Sequence, residues 1–232
     1  MKKIVLFLFV ALQLNAEEIY ATFDVEAQKS ASLAFSSSGI IEKMNVDIGS
    51  VVKKEDHLAE LINDDIEAMV EVSKVAVKYA KSDFERQKKV QQHINESLFD
   101  SFANKYDSAK VQLQYQKTLL DKTYLRAPFD GVITAKKVEV GDVVSGQMIT
   151  EVYDIQSLKE RKLVLKFDQK YHKKVNVGDS FKYQVDGDET VYTGTIYKIY
   201  PTIDSRSRKI LAEVKAESFP VGLFGDGYIT TK

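Results

Sequence analysis

Residues 39–52 read GIIEKMNVDIGSVV and residues 131–144 read GVITAKKVEVGDVV. Aligned without a gap, they share Gly39/Gly131, Ile41/Ile133, Val46/Val138, Gly49/Gly141, Val51/Val143 and Val52/Val144, with near-equivalents at Ile40/Val132, Asp47/Glu139 and Ile48/Val140. Inside each copy β-branched residues recur at even spacings, a glycine follows at the turn, and a Val-Val pair comes next. Each copy therefore reads as two short strands around a tight turn. Gly39, Gly49, Gly131 and Gly141 mark turn positions where the backbone is expected to need φ > 0. One copy cannot bury both faces of such short strands. Two copies about an approximate twofold axis can, as a small flattened β-sandwich.

Between the copies the period changes. From Asp64 to Leu125 there is no glycine and no proline, and Ile66, Val70, Ser73, Val77, Ala80, Phe84, Gln87, Gln91 and Ile94 trace an alternating 4-3 seam. A turn is expected near Asn95 and Glu96, and a second seam then runs Phe102, Tyr106, Ala109, Leu113, Gln116 and Leu120. A mean spacing of 3.5 residues is that of helices wound as a left-handed coiled coil. A short link makes the pair antiparallel, and at 1.5 Å per residue the hairpin reaches ~45 Å from its base. Lys74, Lys78, Lys81, Arg86, Lys88 and Lys89 mostly sit off the first seam, where charge stays solvated, while glutamines weaken the seam toward the tip. The repeat is thus one domain split in two, with a rod inserted between its halves.

Outward from this centre, residues 1–16 combine a basic MKK with the apolar run Ile4–Leu14 and end at Ala16, the layout of a secretory signal peptide. Residues 17–38 alternate as N-terminal strands. The halves of the sandwich are expected at 39–62 and 126–156 and the hairpin at 63–125. A small β-barrel is expected over 157–225 from the strand candidates RKLVLKF, SFKYQV, TVYTGTIYKIY, KILAEVKA and GYITTK, and 226–232 is left as a C-terminal strand. The expected fold class is mostly β with an inserted α-helical hairpin. The 232 residues are 44% hydrophobic and 29% charged, with a formal net charge of −1 and no cysteine. That balance offers no basic face for nucleic acid and no thiolate metal site.

This organisation resembles the periplasmic adaptor subunits, or membrane fusion proteins of the HlyD-like family, of tripartite efflux pumps. SGIIEKMNVDIGSVVKKEDHLAEL resembles the family's first lipoyl-like half, with Glu55 where a glycine is usual. LRAPFDGVITAKKVEVGDVVSGQMITEV resembles the second, and VNVGD, GTIYKIYPTIDSRSR and GLFG resemble its barrel signatures. The resemblance implies an exported, non-enzymatic, periplasmic homo-oligomer, peripheral to the membrane. It would join an inner-membrane efflux transporter, of resistance-nodulation-division or ABC type, to a TolC-like outer-membrane channel. In the family an Arg, a Leu and a Ser at fixed spacing around the hairpin tip meet the channel; here Arg86, Val90 and Ser97 fall at that spacing. Arg86 offers a fork of donors, Val90 an apolar plug, and Ser97 a helix cap or a bond across the contact. The family usually carries a membrane-proximal domain after the barrel, of which residues 226–232 would be a remnant. The alternative class is a stand-alone envelope scaffold built from the same modules.

The residues offer little else chemical. A lipoyl-like carrier enzyme needs a modifiable lysine in Asp-Lys-Ala or Met-Lys-Met, and the setting of Lys136 and Lys137 matches neither. His57, His93 and His172 are far apart and form no HxxxH; Met44, Met69 and Met148 are isolated, so no metal site is indicated. Asp64, Asp65 and Glu67 sit at a helix start, where the dipole favours negative charge. No cofactor and no catalytic residue is expected.

Overall fold

A computed structural model describes residues 17–93, 95–216 and 219–231; the expected signal peptide and the seam residue Ile94 lie outside the described residues. The chain divides into two compact units, one from Lys29 to Leu158 and one from the segments on either side of it.

The unit of residues 29–158 holds the repeat. Strands β2 (Ser30–Ala34), β9 (Glu151–Ser157), β7 (Gly131–Lys136) and β4 (Val51–Val52) form one sheet, in that order. Strands β6 (Tyr124–Arg126), β5 (His57–Leu61), β3 (Gly39–Met44) and β8 (Val143–Val144) form the other. The two strands of each copy do not pair with each other as a hairpin would. Gly39 pairs with Val144 and Ile40 with Val143, while Gly131 pairs with Val52 and Val132 with Val51. Replacing each residue by its repeat-mate, 92 positions later for the first copy and 92 earlier for the second, turns one ladder into the other. The bonds beside the ladders obey the same rule. Ile41 N–H reaches Asp142 O at 3.0 Å where Ile133 N–H reaches Ser50 O at 3.0 Å, and the Gly141 and Gly49 amides return to Ile41 O and Ile133 O. Each half therefore donates its Val-Val strand to the other half, which is why the motif is written twice. Ile41, Val52, Leu58, Ile133, Val144, Val152, Tyr153 and Ile155 fill the shared core.

The twofold reaches the turns. Gly49 and Gly141 occupy the same left-handed conformation, φ +87° and +94°, with no heavy atom near a built Cβ, so backbone angle alone demands glycine there. Gly39 and Gly131 are wanted for space instead. A Cβ on Gly131 would meet the Gln156 carbonyl oxygen at 2.4 Å, and one on Gly39 would meet Leu61 Cδ1 at 3.1 Å.

The second unit is a closed six-stranded barrel in the order β1 (Glu18–Ala27), β10 (Arg161–Asp168), β13 (Lys209–Ala216), β12 (Tyr192–Asp204), β11 (Ser180–Val185) and β14 (Phe224–Thr230). Two expectations about the chain ends are corrected here. The N-terminal strands expected over residues 17–38 do not form a segment of their own: β1 is a barrel stave and β2 an edge of the sandwich. The terminal segment from residue 226 is not a remnant lying outside the barrel, because β14 pairs with β1 on one side and β11 on the other. The reason is burial. β1 alternates Ile19, Ala21, Phe23, Val25 and Ala27 inward, and only a strand from the far end of the chain closes the ring over them.

Candidate functional site

The hairpin exposes more apolar surface than its own packing requires. Helices α1 (Asp64–Lys89) and α2 (Glu96–Asp121) have 26 residues each, about 39 Å of helix. They rise from a buried polar clasp in which Asn63 Nδ2 donates to Thr123 Oγ1 at 3.0 Å and Thr123 Oγ1 donates to Leu120 O at 2.6 Å. Acidic Asp64, Asp65 and Glu67 occupy the first turn of α1, and basic Arg86, Lys88 and Lys89 its last, both favourable to the helix dipole. Within the two helices the seam read from sequence is the face that packs; Gln91, expected on it, is exposed because α1 ends at Lys89 and Gln91 opens the 3-10 turn. Val70, Ser73 and Ala80 are buried, while Ile66, Val77, Phe84, Gln87, Phe102, Tyr106, Ala109, Leu113, Gln116 and Leu120 are half-buried. Near the tip Phe84 stacks on Tyr106 at 5.8 Å and packs against Phe99 at 5.5 Å. No residue of α2 is fully buried, as expected of a two-helix ribbon.

Each helix carries a second stripe at the same alternating spacing, and it faces solvent. On α1 it runs Val72, Val75, Tyr79, Ser82 and Arg86, and on α2 Tyr115, Val111, Ser108, Asn104, Ser101 and Ser97. The base half of both stripes is apolar, with Tyr79 65% and Val111 70% exposed, and the tip half is polar. Arg86 and Ser97 are thus the tip ends of two continuous surfaces. Arg86 leans on Asp83 one turn back and on Ser82 Oγ, an exposed pairing of little net worth that a partner group can replace. Val90 closes α1 as its C-cap, 43% exposed, followed by a 3-10 turn over Gln91–His93. Ser97 does not cap α2. Asn95 does, its side chain accepting the Ser97 N–H at 2.8 Å; Glu96 already opens the helix, which leaves Ser97 inside the first turn. Ser97, Asp100, Ser101 and Asn104 line an open polar depression beside the tip.

Lys136, Lys137 and His57, also weighed from sequence, have partners in the fold. Lys136 pairs with Glu139 at 2.8 Å, and Lys137 with Glu151 and Asp154, so neither is held out as a swinging arm. His57 lies against Arg126 and tilts over the Tyr124 ring. Among the described residues no group of three or more His, Asp or Glu side chains is placed to hold a metal ion, and no helix is long and apolar enough to cross a membrane. Glu213, buried on the outer side of the barrel under Tyr197, Tyr200 and Lys162, was not legible from the chain; its strand reads as ordinary alternation.

Comparison with solved structures finds this architecture repeatedly. A MacA–MexA chimeric protein containing the Pseudomonas aeruginosa MexA α-hairpin domain superposes with a TM-score of 0.85 at 21% identity, covering 94% of this chain and 83% of that one. MacA from Actinobacillus actinomycetemcomitans gives 0.79 at 18% identity, over 94% and 79% of the two chains. ZneB from Cupriavidus metallidurans gives 0.62 at 16%, over 94% and 71%. At these identities the likeness is one of fold. Comparison with curated proteins finds no match. The family model for the CzcB-like, barrel-sandwich hybrid domain matches residues 29–156, the split sandwich together with its hairpin. By that match the chain belongs to the CzcB-like barrel-sandwich hybrid domain family.

Proposed function

We propose that the protein is a periplasmic adaptor of a tripartite efflux system. It would join an inner-membrane transporter to a TolC-like outer-membrane channel and act as a homo-oligomer whose hairpins stand side by side. The observation that carries this reading is the second stripe. A two-helix ribbon needs one seam to hold itself together, and each helix here has another, apolar from the base and polar at the tip. Copies placed side by side would cover the apolar halves. The polar ends, with Arg86, Val90 and Ser97, are left for a different partner, which suits the carbonyls and carboxylates at a channel's helical mouth. The sandwich repeats the pattern. Ile40, Ile48, Val51, Val140 and Val143 are exposed although both copies of the motif keep them apolar, so the duplication preserves an outer surface as well as a core.

The protein's part is then mechanical: it aligns and seals a conduit, and the energy is supplied by the transporter. The resemblance stated above leaves the transporter as resistance-nodulation-division or ABC type, and this reading takes the former with the latter as its alternative. The test pairs two measurements in cells. Arg86→Asp should abolish export while leaving helix content unchanged. Mild crosslinking followed by purification should recover a transporter together with a channel. Full export by the Arg86→Asp protein, with recovery of neither partner, would leave a stand-alone scaffold as the better reading.

A further inference from the structure

The barrel presents a face of its own that its folding does not explain. On the outward side of β1 and β14, Tyr20 lies opposite Tyr228, Thr22 opposite Asp226 and Asp24 opposite Phe224. β11 extends these rows with Lys182 beside Tyr228 and Gln184 beside Asp226. The three rings are exposed, Phe224 to 58%, and Tyr20 meets Tyr228 edge to face at 5.8 Å. The loop after β11 borders the same face, since the Asp186 amide donates to Phe224 O at 2.9 Å. Asp24, Asp186, Asp188, Glu189 and Asp226 gather around a depression of about 660 Å³ there. Opposing them are Lys182 and Lys166, and Lys166 is taken up by Asp24. Asp188 is held below the usual carboxylate range by the Thr190 amide and the Tyr192 hydroxyl, so it stays charged.

We infer that this outer face of β1, β14 and β11 is a docking surface for an arginine- or lysine-bearing segment of another protein. Three features select that occupant. The barrel is closed, so no free edge is available for strand addition and a partner must be read through side chains. Three strands and three outward rows span about 10 Å by 14 Å, broader than a single small cation and matched to a short extended segment. The chemistry is aromatic and acidic together. A guanidinium can stack on Tyr20, Tyr228 or Phe224 while pairing with Asp226 or Asp186, the combination that concentrates binding energy at protein interfaces. An anionic lipid surface would be repelled by the same carboxylates. The inference stands on the barrel alone and is independent of the conduit reading.

Benzoylphenylalanine placed at Phe224 in the full chain, expressed at native level and irradiated in living cells, reads the contact directly by mass spectrometry of the adduct. The expected adduct is a peptide of a different protein with arginine or lysine beside the attachment point. Its yield should fall about tenfold in the Asp186→Asn/Asp226→Asn background and stay unchanged with Lys182→Gln. Circular dichroism checks that each variant folds. The inference is overturned by an adduct to this chain's own peptides, which would make the face a contact between copies. It is equally overturned by an adduct to lipid, by no adduct, or by one whose yield ignores the paired substitution.

Discussion

Glu213 is the charge whose removal should cost the barrel most. It lies on the outward side of β13, yet only 3% of it is exposed. Tyr197 donates to its carboxylate at 2.6 Å, Tyr200 at 2.8 Å and Lys162 at 3.0 Å, with Lys198 at 3.6 Å. Burial pushes the carboxyl up, but these donors outweigh it and hold its pKa at about 2, against an ordinary 4.5. At 1.36 kcal/mol per pH unit the gap is worth about 3 kcal/mol of folding free energy. A depressed carboxylate contributes fully above its unfolded pKa and is lost as pH falls through the folded one. The window is therefore pH 5 to 2, and about 2 kcal/mol is already gone at pH 3. Lys162 does not blur this window: burial lowers its pKa and Glu213 more than restores it, so its titration lies far above neutrality. Glu213→Gln keeps the shape and removes the charge. The variant should be about 3 kcal/mol less stable than wild type at pH 7 and about 1 kcal/mol less stable at pH 3. Urea-dependent hydrogen exchange at β13 amides measures both values and reports the barrel apart from the hairpin. An equal difference at the two pH values would refute the assignment of a buried, ionised carboxylate.

Further outcomes test the sandwich and hairpin. Gly131→Ala drives a Cβ against the Gln156 carbonyl and should cost at least ~2 kcal/mol, whereas its repeat-mate Gly39→Ala meets only the movable end of Leu61 and should cost less than ~1 kcal/mol, both read from urea midpoints. Glu55 holds φ +71°, so Glu55→Gly should relieve ~1–2 kcal/mol of left-handed strain against ~0.5–1 kcal/mol of added chain entropy, a small net gain in the same assay. Asn95→Ala removes the N-cap of α2 and should cost about 1 kcal/mol, seen as faster amide exchange at Ser97 and Leu98.

What the chain decided locally could be read locally. The change of period at Asp64 marked the hairpin, and the 4-3 seam named its packed face, because a residue's place around a helix follows from its position along it. The duplicated motif announced a split domain, whereas the left-handed backbone at Glu55, φ +71°, came only with the structure. What the tertiary structure decided depends on contacts between distant segments. Nothing in GIIEKMNVDIGSVV says that its Val-Val pair belongs to the other copy's ladder; the register across 92 residues does. Both chain ends become neighbouring staves only because an inward row of Ile19, Phe23 and Val25 must be sealed. Glu213 and Phe224 reverse the usual alternation, one a buried charge and the other an exposed ring, and period 2 alone cannot say which outward positions a bulged neighbour will cover. Along this chain, then, sequence fixes which face of each element is apolar, since that is a matter of periodicity. Only closure of the sheets settles what covers each face, since that is a matter of which remote strand arrives beside it.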